Sequence, residues 1–504
     1  MDPKLIAAAR ASFPAVDAAI VLGAPLSASE AHPEPLVRVP LSILNRHGLV
    51  AGATGTGKTK TLQLVAEQLS RAGVPVFLAD LKGDLAGIAA PGEANERVLS
   101  RARATGFDWH AAACPVEFLS LTGRSGAQVR ATVSSFGPLL LAKVLDLNQT
   151  QTSVLSLVFK YCDDRGLELL DFADLRTVLQ HLTGAGAEEL AGLGGMSKST
   201  VGVLLREMVE LEQQGALAFF GEPELDLDDL LRTTSDGRGI VSVLDLQDVQ
   251  DKPALFSTFM MWLLARLFAE LPEVGDPARP TLVFVFDEAH LLFRNASTAF
   301  LDQVGQVVRL IRSKGVGIFF VTQNPKDVPA EILGQLGTRV QHALRAFTPD
   351  DDKALRAAAR TFPKTEFYDI EETLTTLGTG EALISALAAS GAPTQPFATR
   401  LIPPASRMGV LAEAERAALL ATPQVRKYRD AVDRESAHEK LTRKSAAEAP
   451  ESRGAGTSAR GPAREGGTSL SDVLNSPLAR SVATAFTRGV LGALLGSPRR
   501  RRRY

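Results

Sequence analysis

The sequence predicts an α/β fold: a mostly parallel β-sheet covered by helices on both faces, with a largely helical insertion. Three observations predict it. Short, nearly continuous apolar runs recur along the chain with helical stretches between them, and strands buried on both faces of a parallel sheet read this way. A glycine-rich segment, "GATGTGKTKT" (52–61), joins one such run to a segment of helical period. The 504 residues are 45% hydrophobic and 22% charged, so the chain can bury a large core and is too long for one ordinary domain.

Residues 1–45 carry few strong signals and are expected to form a short N-terminal cap. The run "HGLVA" (47–51) then reads as a buried strand. After the glycine-rich segment, "KTKTLQLVAEQLSRAG" (58–73) places Leu62, Val65, Ala66 and Leu69 at helical spacing, with Gly73 as the C-terminal stop. "VPVFLAD" (74–80) is the next strand. From 91 to 235 the character changes to Leu, Ala and Gln at helical spacing, as in "TSVLSLVFKYCDD" (152–164) and "VGVLLREMVELEQQG" (201–215). This stretch is expected to be the helical insertion.

Strand-like runs return at "GIVSVLDL" (239–246), "TLVFVFDEAH" (281–290), "GVGIFFVTQNP" (315–325), "RVQHALRAF" (339–347) and "EALIS" (381–385). The core is therefore expected to span 46–90 and 236–405, followed by a helical extension over 406–441. Residues 442–469 lack large apolar side chains and read as a disordered linker. Over 470–504, Leu474, Leu478, Val482, Phe486, Val490 and Leu494 recur every four residues, and the chain ends in "RRRRRY". That pattern is an amphipathic helix with a basic tail.

The segment from Gly52 to Thr59 matches the P-loop spacing G-x-x-x-x-G-K-[ST], and the strand before it and helix after it are the context that motif needs. Its glycines let the backbone of Gly52, Ala53, Thr54, Gly55, Thr56 and Gly57 curl around a phosphate chain, with the helix N-terminus adding partial positive charge. Lys58 is expected to reach the β- and γ-phosphates of ATP, and the Thr59 hydroxyl to ligate Mg²⁺. In "VFVFDEAH" (283–290) four apolar residues put Asp287 at the C-terminal end of a buried strand, where open parallel sheets place their ligands. Asp287 is expected to hold Mg²⁺ through its water shell, and Glu288 to orient the attacking water. "IFFVTQNP" (318–325) ends a further strand in Gln323, a sensor of phosphate or water. Arg309 and Arg312 lie three apart in "DQVGQVVRLIRSKGVG" (302–317). They read as a solvated basic face or as arginine fingers, Arg312 first and Arg309 second, with Arg339 and Arg345 as alternatives.

Charge and cysteine usage exclude several classes. The net charge of −2 gives no general attraction for nucleic acid, so any such contact needs a local patch. Two cysteines, Cys114 and Cys162, without a C-x-x-C motif argue against a disulfide scaffold or zinc site. "FSTFMMWLLARLFAELP" (256–272) is short for a bilayer and carries Arg266 and Glu270, so a buried helix and a cytoplasmic protein are expected.

The order GATGTGKT, FDEAH, "VVRLIRSKGVG", "VTQNP" and "LGTRVQHALRAF" resembles the HerA/FtsK superfamily of ATPases, and within it the YjgR-type, HerA-like proteins. "LADLKGDLAGIA" (78–89), "LEQQGALAFFGEP" (211–223) and "GTGEALIS" (378–385) extend the resemblance over about residues 15–405 and the last apolar helix. It implies a RecA-like core of the additional-strand type, Mg²⁺-dependent ATP hydrolysis and assembly into a homo-oligomer, usually a hexameric ring. It also implies translocation or unwinding of double-stranded DNA. An ATPase acting on a protein partner is the alternative; a small-molecule kinase fits Glu288 and Gln323 less well. "DEAH" does not indicate a DEAH-box helicase, because no second helicase core with its own arginine motif is present. The stretch before the P-loop is expected to be too short for the N-terminal barrel through which HerA docks a nuclease, so that partnership is not carried over.

Overall fold

The computed structural model describes residues 3–293, 298–388 and 390–448. One 13-stranded sheet runs through them. Its strands are β1 (Ala19–Ser27), β2 (Glu30–Ala31), β3 (Val37–Pro40), β4 (Gly48–Ala51), β5 (Val76–Asp80), β6 (Val116–Ser120) and β7 (Ala127–Gln128). They continue as β8 (Val241–Asp245), β9 (Leu282–Phe286), β10 (Val316–Thr322), β11 (Thr338–His342), β12 (Glu381–Ser385) and β13 (Phe397–Leu401). The spatial order is β2-β1-β13-β12-β11-β4-β10-β9-β5-β8-β6-β7, with β3 paired to β1. From β11 to β7 every pairing is parallel, while β12, β13 and β1 extend the sheet with antiparallel pairings. β10 lies between β4 and β9 and is parallel to both. This is the additional strand between the P-loop strand and the acidic strand.

Side chains alternate across a strand, so each central strand feeds two cores. Phe284 and Phe286 of β9, with Ile318 and Phe320 of β10, pack on one face with helices Pro253–Glu270 and Thr298–Leu310. Val283, Val285, Phe319 and Val321 pack on the other, with helices Lys58–Arg71 and Pro3–Ser12. Helix Pro253–Glu270 is buried through Leu255, Phe259, Trp262 and Leu267. Among the described residues no helix is long and apolar enough to cross a membrane.

Three boundaries differ from the sequence reading. The first 45 residues do not stand apart as a cap, because β1 pairs with β13 and β3 pairs with β1. The stretch 91–235 is not helical throughout. β6 pairs with β8 in the main sheet, so its apolar Val116, Phe118 and Leu119 serve a strand. The helical body of the insertion starts at Val133, where Thr132 caps the first helix and accepts the Ser135 N–H. Its later helices have similar starts, with capping boxes at Asn148 and Asp171. Finally, the last described helix, Ala437–Glu448, runs past Thr442, where the linker was expected to begin. The remainder of that linker, the amphipathic helix and the basic tail lie outside the described residues.

Candidate nucleotide-binding site

The site is assembled at the C-terminal ends of parallel strands. In the order β4, β10, β9, β5 these ends lead into the P-loop, Gln323, the Asp287–Glu288 pair and a turn over Asp80–Asp84.

Gly52, Gly55 and Gly57 have φ of 153°, 78° and 112°, values that favour glycine. At Gly52 space forbids a side chain as well, since a Cβ there would lie 2.5 Å from the Cβ of His342. The loop is anchored to both neighbouring strands. Gly52 N–H donates to Thr322 O at 3.3 Å, and Ala53 N–H to Ala343 O at 2.8 Å. Thr56 Oγ1 donates to Ala53 O at 2.7 Å. Thr54 and Gly55 are exposed at the tip, Thr59 is half-buried, and helix Lys58–Arg71 begins on the loop. The first N–H groups of a helix have no partner within it, so they are available to an anion. Lys58 is buried, and its Nζ donates to Gly52 O at 2.7 Å and Ala53 O at 3.1 Å. Burial lowers its pKa, against the opposing pull of Glu288 and Asp287.

Asp287 and Glu288 are 7% and 5% exposed. Asp287 Oδ1 accepts the Glu288 N–H at 2.9 Å. Its Oδ2 is buried without a hydrogen-bond partner. Burial, reinforced by the neighbouring Glu288 charge, pushes the Asp287 pKa up to about 7. Glu288 has φ of 50°, a strained value for a residue with a side chain. Burial pushes its pKa up, but the Lys82 ammonium and the His290 and Lys58 charges outweigh burial and hold it low. Lys82 donates to Glu288 Oε1 in an ion pair. His290 Nδ1 lies 3.1 Å from Glu288 Oε2, misaligned for a hydrogen bond.

The donor set fits a magnesium ion. Asp287, just past the end of β9, carries a buried carboxylate oxygen without a hydrogen-bond partner. Among the described residues, moreover, no group of three or more His, Cys, Asp or Glu could cage a metal. Magnesium suits such a site, because it takes few protein ligands and completes its shell with water and phosphate oxygens.

The structure distributes the other sequence candidates unevenly. Gln323 is exposed just past β10, between the P-loop and the acidic pair, and the following turn is fixed by Thr322 Oγ1 donating to Asp327 Oδ2 at 2.8 Å. Arg309 is exposed on helix Thr298–Leu310. Arg312 pairs with Asp276 at 2.9 Å. Both precede β10, whereas the P-loop lies beside its far end; seven residues of strand separate the two edges by about 23 Å. Neither arginine therefore meets the P-loop of its own chain. Arg339 is the second residue of β11 and is turned towards the carbonyls of Leu333 and Thr361. Arg345 follows the end of β11, on the P-loop edge, and donates to Thr375 O at 2.8 Å.

Sequence reasoning missed three residues. Lys82 stood in a quoted segment, but its role depends on β5 lying next to β9. His342 is buried, with Nε2 2.8 Å from Thr61 Oγ1, and burial brings its pKa down to about 4. Arg101 donates to Gly380 O and Thr379 O, each at 2.9 Å. It borders a cavity of about 590 Å³ beside the P-loop helix, lined also by Lys60, Leu64, Asn95, Gly380 and Arg407. The cavity wall is tied to that helix by Glu67, which accepts from Ala405 N at 2.8 Å and Ser406 Oγ at 2.8 Å.

Residues 26–503 match the family model described as helicase HerA-like C-terminal. Over 156 residues the chain is 30% identical to the probable helicase MJECL08 of Methanocaldococcus jannaschii, covering 29% of this chain and 28% of that protein. It is 35% identical over 106 residues to the DNA double-strand break repair helicase HerA of Sulfurisphaera tokodaii, covering 21% and 20%. A longer match, 21% identical over 350 residues, aligns it with the protein of that name from Sulfolobus acidocaldarius, covering 69% and 64%. The chain thus spans less than two thirds of each of these relatives. The solved bacterial conjugative coupling protein TrwBdeltaN70 shares the fold at 14% identity, with a TM-score of 0.50 over 81% of this chain and 94% of that one. With its sheet order, P-loop and acidic strand in that frame, the chain belongs to the helicase HerA-like C-terminal family.

Proposed function

We propose that the protein hydrolyses ATP with Mg²⁺ and couples the reaction to movement along double-stranded DNA. One observation carries the reading. A single intervening strand separates the P-loop strand from Asp287 and Glu288, and the Lys58 charge acts on both carboxylates. The triphosphate lies along Gly52–Thr59, and the adjoining cavity takes the base and ribose. Thr59 and Asp287 would hold Mg²⁺, which would neutralise charge on the phosphate oxygens. The oxygen of a water held by Glu288 attacks the γ-phosphorus. The bond to the β–γ bridging oxygen breaks, ADP leaves with that electron pair, and the water proton passes to the Glu288 carboxylate. Lys58 and the loop N–H groups stabilise the charge that develops. Gln323 reports whether the γ-phosphate is present.

The DNA half of the proposal is supported by the family and by the names of its HerA relatives. A ring, with a neighbour's arginine completing each site, is consistent with Arg309 and Arg312 lying away from their own P-loop. The test is the steady-state ATPase rate with and without double-stranded DNA. A DNA-dependent rise that fades with salt supports translocation, because phosphate contacts release counterions. A rate indifferent to DNA favours the protein-directed alternative.

A further inference from the structure

Lys82 is a cation beside this site that belongs to neither the P-loop nor the acidic strand. It lies in the turn after β5, and that turn is rigid. The buried Asp80 carboxylate accepts from Gly83 N at 2.8 Å and Leu85 N at 3.1 Å. Gly83 has φ of 74° and packs so closely on Gln247 that a Cβ would lie 1.6 Å from its Nε2. From this base the Lys82 ammonium reaches Glu288 Oε1. The two ends of the ion pair differ: the Glu288 side chain is 5% exposed and that of Lys82 is 50% exposed. The carboxylate is enclosed, while the ammonium can be reached from solvent.

Glu288 is therefore engaged on one oxygen. Its Oε1 accepts from Lys82, while its Oε2, beside His290, is buried without a hydrogen bond. A carboxylate paired with an ammonium is held in its charged form and is a weaker base towards water. Lys58 and Lys82, meanwhile, act on the same two carboxylates and repel each other. Two mutually repelling ammonium groups beside a P-loop favour the arrival of more negative charge. The γ-phosphate of a nucleoside triphosphate brings that charge, with oxygens that compete for an ammonium. A diphosphate ends one group short.

We propose that Lys82 is a positioning residue: it holds Glu288 out of its water-activating role until a γ-phosphate draws the ammonium away, so that the site separates triphosphate from diphosphate. This rests on the ATPase reading above. Loss of the clamp releases Glu288 only when there is a phosphate to attack.

The test uses the full chain with Mg²⁺, titrated calorimetrically with a non-hydrolysable ATP analogue and with ADP. The variants are Lys82→Ala, Lys82→Arg, Glu288→Gln and the double variant Lys82→Ala/Glu288→Gln. Lys82→Ala is expected to weaken analogue binding roughly tenfold to a hundredfold, the effect of one charge-assisted hydrogen bond, while ADP binding stays within about twofold. Lys82→Arg restores most of the loss, which a purely structural role would not require. Glu288→Gln frees Lys82 and tightens analogue binding, but the gain disappears in the double variant, as a coupled pair demands. Equal weakening for both nucleotides, or unchanged analogue binding in Lys82→Ala, overturns the proposal. So does a gain from Glu288→Gln that survives in the double variant. A parent protein that binds neither nucleotide overturns the ATPase reading, and this one with it.

Discussion

The two edges of the parallel sheet are built on opposite terms. At the C-terminal edge, charge is buried and incompletely partnered: Asp287 Oδ2 has no hydrogen-bond partner, Glu288 sits at φ of 50°, and Lys58 folds onto its own loop carbonyls. At the N-terminal edge, among the described residues, the buried atoms without a partner include Asn45 Oδ1 and Arg46 Nε, but no carboxylate oxygen. Buried His47 lies 2.7 Å from Val308 O through Nε2 and accepts from Ile318 N through Nδ1 at 3.0 Å. The charged residues there pair at the surface, as Arg312 does with Asp276 and Lys314 with Glu273. A buried, unpartnered carboxylate oxygen costs more than a neutral amide oxygen unless it serves something else. The contrast therefore marks one edge as a site for a charged ligand and the other as scaffold, or as a surface offered to a neighbouring subunit.

The largest expected effect tests which of those the N-terminal edge is. If Arg312 is a finger supplied to a neighbour, Arg312→Ala loses roughly 10³–10⁵ in ATPase rate despite lying about 23 Å from its own P-loop. Mixing it with Lys58→Ala then restores part of the activity, provided a tagged pull-down shows that subunits exchange. Full activity in Arg312→Ala leaves that edge as scaffold and turns attention to Arg345.

A second substitution sharpens the contrast at the other edge. Gly52→Ala puts a Cβ 2.5 Å from His342 at a φ of 153°. Nucleotide affinity measured by calorimetry is expected to fall at least tenfold, whereas Gly55→Ala meets no atom within 4 Å and is milder.

A third effect, on stability rather than on nucleotide binding, concerns His47. Its pKa is lowered from 6.5 to about 4, first by burial, and its Nδ1 must stay unprotonated to accept from Ile318. The unfolded chain binds the proton more readily, so this contribution is complete above pH 6.5 and is lost as pH falls towards 4. At about 1.36 kcal/mol per pKa unit the loss is on the order of 3 kcal/mol. His47→Asn should flatten the fall in urea midpoint between pH 7 and pH 4.5. An unchanged slope removes His47 as its source.

What the sequence made legible follows the same division. The parallel strands of the core were readable because each is an unbroken apolar run between turns, and the P-loop and "FDEAH" because their spacing is local. β6 was hidden because "VEFLS" is five residues long, holds Glu117 and stands among helical segments. β1 and β13 owe their strand character to pairing with each other across nearly the whole chain. Lys82 was invisible for a related reason: nothing near it in sequence names Glu288, which lies 206 positions away. Local chemistry is written in local patterns, while the partner of a buried charge is fixed by strand order.

The central claim is that Glu288 activates water for ATP hydrolysis, and Glu288→Gln tests it most directly. Nucleotide binding and single-turnover hydrolysis are measured on the same preparation of parent and variant. The account predicts that the variant binds the ATP analogue at least as tightly as the parent and turns over ATP about 10²–10⁴-fold more slowly. Turnover at the parent rate with binding intact would contradict it.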